Sequence, residues 1–280
     1  MEKPKLSIAN GVWLFALLIG AQVHGAPFNE QMRAPPANAA QLKEKLERCF
    51  KMVEEKRAKG EEALLRDPVA HQEVVDLEFA IGRRLDEGQA LGDEAELAQF
   101  GLVKRPDGSY LVQTKKFPQW KSLDRRLLWF TNEEAIEGFL PALQARGFRP
   151  DDIDVLREYV RTHDVAAAMF PEQKELMQTF AQRAASASRE DVLAYVYQSN
   201  RLRREYERRW AVGLLDAVTP QSRRALTSYL LEEWPEEVVF GAPDSIVDAR
   251  VAETLSLFHS GEYQRLLDKQ EAELSRRTQQ

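Results

Sequence analysis

Arg201, Arg203, Arg204, Arg208 and Arg209 crowd nine consecutive positions, the densest concentration of chemistry-bearing side chains in the sequence. Guanidinium groups so placed suit an anionic partner, and Tyr206 and Trp210 lie close enough to stack with them. Arg203, Arg204 and Arg208 are the residues assigned to such binding. The competing expectation is structural. Arg201–Glu205, Arg203–Glu207 and Glu205–Arg209 are all i,i+4 pairs, which would lace the outer face of one helix with ion pairs. Tyr206 and Trp210 would then belong to the core.

Histidine is scarce beyond the N-terminal segment, with His71, His163 and His259 only. His71 stands near Glu73 and Asp76, so a hydrolase working through these carboxylates is the enzymatic alternative. On a helix, however, residues two apart project about 200° from each other. His163 and His259 sit where helices should end, where a cation offsets the dipole. The sequence has no His-Glu-x-x-His pattern and no cysteine besides Cys49, so it supports no zinc site and no intramolecular disulfide. Nucleophile elbows and phosphate-binding glycine motifs are also missing. No catalytic residue and no cofactor are assigned.

The elements that must position these residues are helices. Leu42, Leu46, Cys49, Phe50 and Val53 recur at helical spacing from Gln41 onward. Asp67-Pro68 starts a second helix and Asp93 caps a third. Thr131 with Glu134 forms a capping box, with Pro141 expected to kink or divide the helix that follows. Asp151 caps the next, and another is expected to begin at Pro171. Ser188 and Asp191 open the longest helix, whose stripe is Val192, Val196, Leu202, Tyr206, Trp210 and Leu214. Thr219-Pro220 starts a further helix, Trp234-Pro235 and Gly241-Ala242-Pro243 bracket a loop, and two last helices flank Ser260-Gly261. One stretch breaks the pattern: residues 102–114 read as a β-hairpin around Pro106-Asp107-Gly108. An isolated hairpin is marginal in water, so it should pack on helices. The expected fold is therefore mainly α, an irregular bundle of about eight to ten helices with one small hairpin. Residues 41–280 form the folded body, either one domain or two packed halves, 41–101 and 115–280, joined by the hairpin.

The N-terminus carries an address. Lys3 and Lys5 precede a ten-residue uncharged run, Val12–Ala21, and small residues lead to Ala26-Pro27. That order is the layout of a signal peptide over residues 1–25, cut after Gly25. The run is too short for the roughly 20 residues of a membrane span. An uncleaved anchor is the alternative. Residues 26–40, rich in Ala and Pro, read as a leader. Cleavage would remove two of the 39 basic and one of the 45 acidic residues, leaving a net charge of about −7. Such acidity disfavours nucleic acid or an anionic membrane as partner. A single cysteine and no Asn-x-Ser/Thr sequon point to a bacterial periplasm or secretion.

Two short motifs are similar to those of exported helical chaperones. Phe170-Pro171-Glu172-Gln173 and Val218-Thr219-Pro220-Gln221 resemble the Leu-Thr-x-x-Gln motif of small periplasmic stress chaperones, which are much shorter chains. Leu123–Phe130 after the hairpin resembles a segment of lipase-specific foldases, but Arg126 is followed by Leu127, Leu128, Trp129 and Phe130 and not by their Phe-Asp-Tyr signature. Membership of neither family is assigned. The functional expectation is an exported, non-enzymatic binding or chaperone-like protein acting on another protein or a cell-envelope component.

Overall fold

The computed structural model describes residues 36, 38–131, 133–232, 237–240 and 244–277. Residues 1–25, expected to be a signal peptide, and most of the expected leader at 26–40 lie outside them. The fold is mainly α with the small hairpin, as the patterning predicts. Twelve α-helices occur among the described residues, nine of them twelve residues or longer.

Helix α1 (Ala39–Arg57) opens with the Asn38 side chain accepting from the Gln41 amide at 3.0 Å. It buries Leu42, Leu46, Cys49 and Val53, the stripe read from the sequence. A short α2 (Ala63–Arg66) leads into α3 (Pro68–Asp86), where Asp67 accepts from the Val69 and Ala70 amides at the first turn. Asp93 caps α4 (Glu94–Ala98) in the same way.

The hairpin pairs β1 (Leu102–Lys104) with β2 (Tyr110–Gln113), Leu102 facing Val112 and Lys104 facing Tyr110. Gly108 takes φ +81° in the turn, and the Asp107 carboxylate accepts from the Ser109 amide at 3.0 Å. Leu102, Tyr110 and Val112 enter one core with Leu46, Ile81 and Trp120, which removes the hairpin's apolar face from water. The segment expected to be a loop contributes a strand as well. β3 (Glu237–Phe240) runs antiparallel to β2, with Tyr110 opposite Phe240, giving the order β1-β2-β3. Val238, Val239 and Phe240 suit a pleated surface, but a run of four residues between Pro-containing stretches of sequence is too short to show alternation.

One helical start is corrected, at the helix expected from Pro171. After α5 (Leu123–Leu127), Thr131 donates its hydroxyl to the Leu128 carbonyl at 2.8 Å in a 3₁₀ turn, and the capping box expected with Glu134 involves side chains outside the described residues. Pro141 does not divide α6, which runs unbroken over Glu133–Ala145. Following α7 (Asp151–Thr162), the next helix starts six residues before Pro171. Asp164 accepts from the Ala166 and Ala167 amides and launches α8 (Val165–Ala181). The longest helix, α9 (Arg189–Ala217), begins at the expected box, with Asp191 accepting from the Ser188 amide and Ser188 Oγ from the Asp191 amide. α10 (Pro220–Glu232), α11 (Asp244–His259) and α12 (Glu262–Arg277) complete the chain.

The compact units do not follow a cut at the hairpin into 41–101 and 115–280. One unit joins the described residues up to Ala168 with Arg204–Asp248, and the other joins Met169–Arg203 with the residues from Ala249. In the first, a second core gathers Leu127, Phe130, Leu143, Leu156, Leu214 and Leu226. Gly213 lies at its tightest approach, because a Cβ there would fall 2.2 Å from Tyr159 Oη. Tyr159 cannot easily retreat, since it donates to the Trp210 carbonyl at 2.9 Å and stacks on His163 at 4.1 Å. Gly213→Ala should therefore cost about 1–2 kcal/mol net of its better helix propensity, read as a lower urea midpoint at unchanged slope. The other unit is built on an aromatic cluster, with Phe180 stacked on Tyr195 at 4.4 Å and Phe258 edge-on to both.

Candidate functional site

The expected arginine surface is not one surface. Arg204 is 1% exposed and Arg208 9%, while Arg203, about 100° round the helix from Arg204, is half-buried and engaged by its neighbours. Arg204 and Arg208 point the same way as Ala211 and Leu215, both fully enclosed. Arg208 grips Glu205 with two hydrogen bonds of 2.9 Å and donates to the Leu65 carbonyl at 3.3 Å. Glu205 also accepts from Arg209 at 2.7 Å, one of the three i,i+4 pairs expected. Trp210 is core, 5% exposed, and Tyr206 is half-buried beneath the Arg209 guanidinium.

Arg204 is instead the hub of a sealed ionic cluster assembled from α3, α5 with its preceding turn, and α9. Its Nη1 donates to Glu78 Oε2 at 2.6 Å, its Nε to Asp124 Oδ2 at 3.1 Å, and its Nη2 to Ser122 Oγ at 2.9 Å. The Ser122 hydroxyl donates a hydrogen bond to Asp124 Oδ1, and His71 Nε2 bonds Asp124 Oδ2 at 3.0 Å. Arg125 donates to Glu78 from the outer side at 2.9 Å, and Glu207 Oε2 lies 4.0 Å from Arg204 Nε. The side chains of His71, Glu78, Asp124 and Arg204 are each no more than 5% exposed.

The charges of this cluster are mutually fixed. Burial alone would raise the Asp124 carboxyl, but the Arg204 guanidinium and hydrogen bonds from His71 and Ser122 outweigh it and hold the group well below the usual carboxylate range. Glu78 is likewise raised by burial and then pulled below its ordinary value by Arg125 and Arg204. For Arg204, burial opposes the charge but Asp124, Glu78 and Glu207 prevail and raise its pKa. Ser122 bonds the carboxylate and not the imidazole, so the order of contacts is not that of a nucleophilic triad.

The carboxylates expected to accompany His71 diverge from it. Glu73 faces Arg48 at 3.3 Å, and Asp76 accepts from Gln72 at 2.8 Å, both away from the buried imidazole. Among the described residues no group of His, Cys, Asp and Glu could hold a metal ion. His163 stacks on Tyr159 at the end of α7, and His259 bonds the Ala184 carbonyl at 2.9 Å at the end of α11. Cys49 is 2% exposed, and burial pushes its thiol up to about 11. At pH 8 about one thiol in a thousand is then ionised. The native chain should stay unmodified by iodoacetamide over hours while the urea-unfolded chain reacts fully, as mass spectrometry would read.

An open cleft in the hairpin-containing unit escaped any reading of local sequence. It has a volume of about 950 Å³ and lies among the α1–α2 turn, the end of β2, Lys121 and α10. Cations predominate on its walls: Lys59, Arg66, Lys115, Lys121 and Arg224. These five are spread over 166 residues of sequence, which hides them from any local reading. No helix among the described residues is long and apolar enough to cross a membrane. In comparisons with protein families, curated proteins and solved structures, nothing matches this chain.

Proposed function

We propose that this chain is an exported, non-enzymatic binding protein that acts on another protein or a cell-envelope component. The single observation that carries the reading is the contrast between the two polar sites. The histidine and carboxylates that would run acid–base chemistry are sealed and spent on one another, whereas the open cleft presents mostly fixed cations. A general base must reach the proton it abstracts, and His71, 4% exposed with Asp124 on its Nε2, offers no room for a substrate. Cationic side chains on a concave surface suit recognition. Export rests on the basic start, the ten-residue apolar run and the small residues before Pro27.

The test is crosslinking in intact cells with a photoreactive residue at position 228 on the cleft wall, or at position 51 on the exposed side of α1, followed by mass spectrometry. A recurrent partner captured from position 228 and not from position 51 is expected. Crosslinks distributed without preference, or hydrolysis of envelope material that disappears in His71→Gln, would overturn the reading.

A further inference from the structure

The cleft has a charge balance that narrows what it binds, an inference that rests on the reading of the protein as a binder. Of its carboxylates, Glu62 is held by Arg66 at 2.7 Å and Glu232 by Arg146 and the Ser228 hydroxyl. Arg66 is also bound to Asp216 at 2.8 Å. Glu61 is approached by Arg57 Nε at 3.8 Å. Lys59, Lys121 and Arg224 have no carboxylate within salt-bridge distance among the described residues, so three full positive charges face the cleft with little to offset them.

Lys121 is the fixed point among them. It is half-buried, and its ammonium donates to the Leu231 carbonyl at 2.9 Å, which leaves two of its three N–H groups to donate elsewhere. Burial lowers its pKa, and Arg57 and Arg126 lower it further by repulsion, against a smaller opposing effect of Glu61. Lys59 comes from the α1–α2 turn and Arg224 from an exposed position on α10, so three separate elements supply the charges. A lone carboxylate carries one negative charge. A phosphate monoester carries about 1.5 to 2 with three acceptor oxygens, the better match to a cleft whose walls carry several cations. The volume is near the upper end for small-ligand sites, roughly 300–1,000 Å³, and leaves space for more than the phosphate group itself.

We propose that this cleft binds a small phosphate-bearing ligand, Lys121 donating to a phosphate oxygen and Lys59 and Arg224 neutralising the remaining charge. Inorganic pyrophosphate is the probe, titrated calorimetrically into the mature chain at constant ionic strength. One saturable site is expected, weakened at least tenfold by Lys121→Gln and by Arg224→Gln and unchanged by Lys51→Gln. Arg224 is exposed, so its variant keeps the fold even where Lys121→Gln fails to, and circular dichroism verifies this. Absence of saturable heat, or wild-type affinity in Arg224→Gln, would overturn the proposal. Citrate binding as tightly as pyrophosphate would overturn the phosphate assignment. If pyrophosphate fails to bind while position 228 still captures a partner in cells, the phosphate site is wrong and the binding function stands. Failure of both removes both.

Discussion

Arg204→Met should destabilise the chain by about 3–5 kcal/mol, because it leaves Glu78 and Asp124 as buried carboxylates without their shared cation. Most of that loss is the cost of stranded charge and not of missing contact. The replacement is close in length to the aliphatic part of arginine, so a cavity contributes little. A triple variant, Glu78→Gln, Asp124→Asn and Arg204→Met, should recover more than half of the loss, since it removes the charges together. Urea unfolding followed by circular dichroism measures both. A single variant within about 1 kcal/mol of wild type would show that the cluster is open to water.

Acid should attack the same place. The folded-state pKa values of Asp124 and Glu78 are depressed, so their stabilisation is complete above the ordinary carboxylate pKa of about 4 and disappears as pH falls through the folded-state values. In the unfolded chain both groups take up protons near pH 4, while the native state resists protonation. Unfolding free energy should therefore be flat from pH 8 to about 5 and then drop. A strongly depressed carboxylate contributes on the order of 3 kcal/mol to such a fall. Asp124→Asn should make the acid limb measurably shallower. An acid limb equal in slope to wild type would mean that Asp124 titrates normally in the native state.

Helix starts were legible at Asp67, Asp93 and Ser188, because capping is a contact over two or three residues, while the same local signal at Asp164 was passed over in favour of Pro171. The hairpin was legible for the same reason, its turn chemistry being local. Strand β3 was not, since its pairing with β2 is a contact across more than a hundred residues. The arginine run misled in an instructive way. Five arginines in sequence suggest a surface, yet the 3.6-residue period turns Arg204 and Arg208 inward beside Ala211 and Leu215. Two signals pointed to the cluster. Glu78 lies between Leu77 and Phe79 and one turn from Val75 and Ile81, and Asp124 sits between Leu123 and Leu127, so each is a charge among apolar positions that needs a counter-charge. Which cation answered them was beyond sequence reading, for Glu78 and Arg204 are 126 positions apart.

Those buried pairs are what separates a structural ion cluster from a catalytic one, and amide hydrogen exchange reads that separation directly. Peptides covering His71–Glu78, Ser122–Leu127 and Arg204–Arg208 should exchange as slowly as global unfolding permits, with protection equal to the full unfolding free energy. Exchange of these segments within minutes under native conditions would mean that solvent reaches His71 and Asp124 in the folded protein, and the assignment of recognition to the cationic cleft would lose its ground.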